Sequence, residues 1–391
     1  MDKKQISLII GARQVGKTTL MKQLENKLAS QGKRTYFLTL EDKRIRTMLS
    51  QSPDLLFQLI PPLTNGERII LFIDEIQYLD DPSNFLKLHY DQHSAQIKLI
   101  VSGSSSFYID QKFRDSLAGR KRIFEMSTLS FEEMLKFMDR DDLVPLYRDR
   151  EVPYIHLDEL RNLLYEYLLY GGYPEVVLER DPDEKQVILR ELATSYVKKD
   201  ATDARLSFPE VYLNLMNILA GQIGGLLNSN KISSLAGIDI KTVNSYLYVM
   251  RKSCHITIVR PFSENVKKEL KKMPKVYFND LGLRNHFVTN FIPIGLRQDQ
   301  GALLENYFFI VLKEAFHEDE IRFWRTQKKQ EVDFIIEPHS PFCRAFEVKF
   351  TRDQFNAKKY RYFKQKYPHI PLTLVTLDNI HEVDLSRKAI K

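Results

Sequence analysis
Residues 11–18 read GARQVGKT, a pattern with every part needed to hold a nucleoside triphosphate. Gly11 and Gly16 let the backbone wrap round phosphates without steric cost, so Gly11, Ala12, Arg13, Gln14, Val15, Gly16, Lys17, Thr18 and the following Thr19 form the cradle. The Lys17 ammonium reaches the β and γ phosphates, and the Thr18 hydroxyl is a ligand for Mg2+. A second pair, Asp74-Glu75, ends the apolar run IILFID. Asp74 suits Mg2+, through water, and Glu75 is placed to polarise the attacking water as general base. Ser104, at the polar end of IKLIVSGSSS, can contact the γ phosphate and that water. Arg120, in SLAGRKR, could neutralise transition-state charge in a neighbouring subunit, which would make the chain a homo-oligomer. Together these residues describe catalytic ATP turnover, with Glu75, Lys17, Ser104 and Arg120 as its side chains.

A third set lies near the other end. EVDF and FEVK place Asp333, Glu347 and Lys349 on two short apolar runs, and the helix GALLENYFFIVLKEAF carries Glu305. Glu305, Asp333 and Glu347 offer hard oxygens suited to Mg2+, while Lys349 can steady an attacking water and the developing phosphorane charge. The quartet Glu305, Asp333, Glu347 and Lys349 therefore has the layout of a metal-dependent nuclease. An inactive domain that keeps the four for packing reads the same way.

These side chains need particular elements behind them. Around the phosphate loop, a strand at Ser7–Ile10, the loop itself and a helix from about Lys17 are expected. The apolar run to Asp74 reads as a buried parallel strand, with ligands bound beyond its carboxyl end. From 129 to 206 the periodicity is helical, with an N-cap at Ser130. Residues 207–280 read as helix, short helix, turn at Gly237, longer helix and two strands, the order of a winged helix. On its third helix Lys241, Asn244, Ser245 and Tyr248 would face DNA and Lys252 a phosphate. Lys267, Lys268, Lys271 and Lys272 would add backbone contacts. Beyond 281 the order of helix, three-strand meander, helix and strand is that of the restriction-endonuclease fold.

A chain of 391 residues exceeds one ordinary core, and 43% hydrophobic with 28% charged content fits globular protein. The net charge of +7 is concentrated: residues 251–275 hold eight Lys or Arg against two acids, and 352–366 six against one. Such blocks suit a polyanion. No apolar run approaches a membrane span, the N-terminus lacks a signal-peptide layout, and Cys254 and Cys343 fit no disulfide framework, so a cytoplasmic protein is expected.

GARQVGKT, LFIDEIQYL, VSGSSS, SLAGR, GGYPEVV (171–177), VYFNDLGLRNHF (276–287), GALLENYFFIVL (301–312) and the EVDF and EVK pair follow one another in order. In this the chain resembles the AAA-type ATPases of archaea and bacteria that carry a C-terminal restriction-endonuclease-like domain of the PD-(D/E)xK type. The resemblance implies an α/β protein with a P-loop AAA-type core over 1–128 and a helical lid over 129–206. A winged helix over 207–280 and the nuclease-like domain over 281–391 would follow. It implies ATP and Mg2+ as cofactors and DNA as partner. The alternative is an ATP-controlled protein-docking or signalling switch whose nuclease-like domain is inert.

Overall fold
The computed structural model describes residues 3–62, 68–103, 117–149, 152–203, 206, 208–263, 272–338 and 340–385. The chain divides into two compact units. One comprises Met1–Ser127 with Lys199–Ser207 and Tyr248–Cys254; the other comprises Thr128–Lys198, Phe208–Leu247 and His255–Lys391. Among the described residues no helix is long and apolar enough to cross a membrane.

The first unit is built on five parallel strands: β1 (Ile6–Gly11), β2 (Thr35–Thr39), β3 (Ile69–Asp74), β4 (Ile97–Gly103) and β5 (Lys121–Met126). Their order in the sheet is β2-β3-β4-β1-β5, so β4 lies between the strand of the phosphate loop and the strand that ends in Asp74. Every residue of β3 and β4 is buried, as expected of largely apolar strands covered on both faces, and in β4 this burial takes in Lys98 and Ser102. On one face α1 (Lys17–Ser30) packs Met21 and Leu28 against Ile9, Ile70, Phe72 and Ile100. On the other, Leu8, Leu71, Ile73, Leu99 and Val101 meet Leu49, Phe85 and Leu86. The parallel strands present their carboxyl ends at one edge, where loops collect functional groups.

The second unit has a six-stranded mixed sheet in the order β11-β10-β9-β8-β6-β7. Its strands are β6 (Ile256–Pro261), β7 (Lys275–Phe278), β8 (Ile321–Arg325), β9 (Glu331–Ile336), β10 (Arg344–Val348) and β11 (Leu372–Val375). Before β6 come α2 (Tyr154–Tyr170), α3 (Pro209–Ala220), α4 (Ser229–Ala236) and, as far as Leu247, α5 (Ile240–Lys252); α6 (Gln300–Ala315) lies between β7 and β8. The α3-α4-α5 order and the Gly237 turn, at φ 66, appear where the sequence placed them. The two strands that follow differ from a free wing. They pair with each other antiparallel, but β6 also pairs parallel with β8 and extends the sheet of the C-terminal strands. Burial explains the join: Phe262, at the end of β6, packs among Trp324, Val332 and Ile335.

Two of the sequence motifs meet in this unit. Gly171 ends α2 at φ 74 and ψ −161, a conformation open in practice to glycine alone. The Asp280 carboxylate accepts from the backbone N–H of Gly172 and of Leu283, each at 2.8 Å. Asn285 donates to the carbonyls of Leu168 and Leu169 at the end of α2, both at 2.9 Å. GGYPEVV and NDLGLRN are thus the halves of one buried polar joint, and burial pushes Asp280 up to about 6.

Candidate nucleotide site and acidic cluster
The phosphate loop leaves β1 at Gly11, where a side chain is sterically forbidden: a Cβ there would lie 2.1 Å from the Met126 carbonyl oxygen. Gln14 and Gly16 take left-handed conformations, at φ 61 and 95, and turn the chain into α1. Ala12, Arg13 and Val15 are buried, and Gln14 and Thr19 are exposed. Lys17 opens the helix, 5% exposed, and its ammonium donates to the carbonyls of Gly11 at 3.1 Å and Ala12 at 2.6 Å. Burial holds its pKa down at about 8, opposed by the nearby Glu75 and Asp74 carboxylates.

Strand β3 delivers Asp74, 4% exposed, to the same place. The Thr18 hydroxyl donates to Asp74 Oδ2 at 2.7 Å, bringing together two residues 56 positions apart. Glu75 follows in a left-handed conformation at φ 59, uncommon for a residue with a side chain. Its carboxylate accepts from the Gln77 amide. Between them sits a residue that the sequence did not single out. The Ser102 hydroxyl, fully buried on β4, donates to Asp74 Oδ1 and accepts the Glu75 backbone N–H at 3.0 Å. The polar strand end expected at Ser104 lies outside the described residues, and Ser102 is the serine of VSGSSS that the structure shows in contact with both acids. The signal was register: Ile73 pairs with Val101, so the next step sets Asp74 beside Ser102. Arg120 is engaged within its own unit, its guanidinium donating to both carboxylate oxygens of Asp91, at 2.7 and 3.2 Å.

Residues 3–135 match the family model described as AAA domain. The N-terminal third is thus similar to AAA domains. Residues 161–298 and 300–389 match two further models, each described as a domain of unknown function (DUF8612 and DUF4143). An uncharacterised protein of Methanocaldococcus jannaschii is 27% identical over 340 residues, 85% of this chain and 72% of that protein. One from Haemophilus influenzae is 26% identical over 348 residues, 85% of this chain and 80% of its own length. Among solved structures, the Thermotoga maritima RuvB Holliday junction branch migration motor is similar at 17% identity and TM-score 0.32, covering 68% of this chain and 87% of its own. Aeropyrum pernix ORC2 is similar at 10% identity and TM-score 0.39, covering 73% and 88%.

In the second unit, as in the AAA domain, acids from separate elements come together, but around lysines. Lys275 on β7 is 1% exposed; its ammonium lies 2.9 Å from Glu305 Oε1, 2.7 Å from Glu331 Oε1 and 3.6 Å from Asp333 Oδ1. Tyr277 donates to the same Glu305 oxygen at 2.7 Å. Asp333 Oδ2 accepts the Val348 N–H at 2.9 Å and lies 3.7 Å from Lys349 Nζ. Lys349 donates to Glu347 Oε1, and Tyr360 donates to that oxygen at 2.6 Å. Burial pushes Glu305 and Glu347 each up to about 7 despite these lysines. The sequence expected Glu305, Asp333 and Glu347 to close on one metal ion. The geometry differs: among the described residues no group of three or more His, Cys, Asp or Glu side chains is placed to hold one. The physical reason is the buried Lys275 ammonium, which the sequence left in a basic surface block.

On α5, Lys241, Asn244 and Ser245 are exposed, and Asn244 accepts from the Ser229 hydroxyl at 3.2 Å. Tyr248 is 41% exposed, with the Lys252 ammonium 5.9 Å from its ring centre. Lys272 is exposed, while Lys267, Lys268 and Lys271 lie outside the described residues.

Proposed function
We propose that this chain is a Mg2+-dependent, ATP-hydrolysing AAA-type ATPase that acts on DNA. The contact between the Thr18 hydroxyl and Asp74, 2.7 Å across the sheet edge, carries the reading. A hydroxyl and a carboxylate side by side beneath a phosphate loop are the hard oxygens that suit Mg2+ next to nucleotide phosphates. The donor set fits the ion. When bound, Mg2+ neutralises charge on the β and γ phosphates. The loop amides and Lys17 hold and orient those phosphates, with the lysine leaving its carbonyl partners for them. Glu75, steered by Gln77 and by its backbone bond to Ser102, orients the attacking water and accepts its proton.

Lys17→Ala should abolish nucleotide binding. Glu75→Gln should bind ATP yet hydrolyse it at least about a hundredfold more slowly, the scale of a general base. Unchanged turnover in Glu75→Gln would remove the base assignment.

DNA enters through α5, whose exposed Lys241, Asn244, Ser245 and Tyr248 form a polar, partly cationic set on a helix-turn-helix order. The second reading, a protein-docking or signalling switch, is favoured by the joining of β6 to β8, which takes the wing out of its usual free form. DNA affinity that falls steeply with salt supports the first reading, and a flat response the second. Self-association through Arg120 would require exchange of its Asp91 partner, and sedentary monomers in the presence of ATP would exclude that role.

A further inference from the structure
We propose that Lys275 is the resident cation of the acidic cluster in the second unit, standing where a nuclease of this layout would hold a divalent metal, so that the cluster is a metal-independent ion-pair core. This inference does not rest on the ATPase reading.

The placement of the charges carries it. A divalent ion at such a site needs carboxylate oxygens converging on a shared point. Here the point common to Glu305, Glu331 and Asp333 is filled by the Lys275 ammonium, at 2.9, 2.7 and 3.6 Å. The lysine reaches it from β7, the edge strand of the sheet, with its side chain 2% exposed. It is covered on one side by the Phe323 ring, whose centre is 5.5 Å from Nζ. A second ammonium, Lys349, is seated between Asp333 and Glu347, and Arg325 pairs with the far side of Glu331. Four carboxylates therefore face three cations, and a further double positive charge would be repelled by the buried Lys275 ammonium and by the partly exposed Lys349 beside it.

Other donors also engage these carboxylates. Tyr277, Tyr360 and the Val348 N–H donate to Glu305, Glu347 and Asp333, orienting the carboxylates toward the protein. Glu347 Oε2 is buried without a hydrogen-bond partner, but a single open oxygen offers no chelating set. A buried ion pair of this kind is costly to break from one side, because the partners left behind keep an uncompensated charge. The cluster thus ties α6, β7, β9 and β10 together, work that in a nuclease would be shared with the metal.

The test separates this cluster from the nucleotide site by using full-length Asp74→Asn protein without nucleotide. Mn2+ binding is followed by electron paramagnetic resonance and thermal unfolding with and without Mn2+. The protein is expected to bind no Mn2+ and to melt at the same temperature in both conditions. Lys275→Met in that background is expected to melt on the order of 10 °C lower, and to regain part of that loss with Mn2+ as the freed carboxylates accept the ion. Binding of one Mn2+ by the Asp74→Asn protein, lost on adding Asp333→Asn, would overturn the proposal. So would a Lys275→Met protein as stable as its parent. Should Lys275→Met fail to fold, the Mn2+ measurement on the Asp74→Asn protein still decides.

Discussion

Ser102→Ala is the sharpest probe of the nucleotide site, because it removes one oxygen and leaves no cavity of consequence. The hydroxyl makes two bonds: it donates to the Asp74 carboxylate and accepts the Glu75 N–H at 3.0 Å, in a position with no solvent exposure. A hydrogen bond to a charged group contributes roughly 1.5–3 kcal/mol, and an orphaned buried N–H costs about 1–3 kcal/mol. The total is therefore about 3 kcal/mol or more, divided between fold stability and the alignment of the two acids. Each ~1.4 kcal/mol expressed in the barrier is tenfold in rate, so kcat should fall about ten- to a hundredfold. Nucleotide affinity should change little, since Lys17 bonds to loop carbonyls and not to Ser102. The assay is steady-state ATP hydrolysis alongside fluorescent-nucleotide binding and a thermal melt. A variant with a lower melting temperature but undiminished kcat would make Ser102 a support of the sheet alone, and the alignment argument would be wrong.

Nucleotide affinity should depend on pH through Lys17. Its folded-state pKa lies near 8, below the usual 10.5, so the free protein loses the phosphate-binding charge as pH rises through 8. Affinity should be flat from pH 7 to 8 and then fall by up to about tenfold per pH unit, with one proton taken up on binding; a flat profile to pH 9.5 would remove the ammonium from the site. Gly171→Ala should cost at least about 3 kcal/mol, because a Cβ there would lie 2.4 Å from Asp280 and 2.6 Å from the Gly282 backbone nitrogen, on top of an unfavourable φ. Chemical denaturation reads this directly, and a loss under about 1 kcal/mol would show that the joint relaxes. Neutralising Lys267, Lys268, Lys271 and Lys272 together should weaken DNA binding about equally for all sequences and flatten its salt dependence; unchanged affinity would point instead to protein docking.

The local pieces are legible in the residues themselves. GARQVGKT fixes a strand, loop and helix because glycine is needed at positions 11 and 16 and an apolar stripe begins at α1. IILFID could only be a strand buried on both faces, with its acids at the end. The order of helix, short helix and longer helix was also legible, with Gly237 as the left-handed stop; the Asn228 and Asp239 caps became visible only in the structure. Tertiary structure decided what adjoins what. Ser102 matters because β4 inserts between β1 and β3, and strand order is not written in any strand's own residues. Arg120 looked free in SLAGRKR, yet Asp91 of another element holds it. Lys275 shows the limit most clearly. In sequence it is one of eight Lys or Arg in the basic stretch 251–275, with nothing to set it apart from the others. Only the pairing of β6 with β8 carries β7 into the sheet and turns that side chain inward. Charge is local to a residue, but what neutralises it is set by the distances that folding creates.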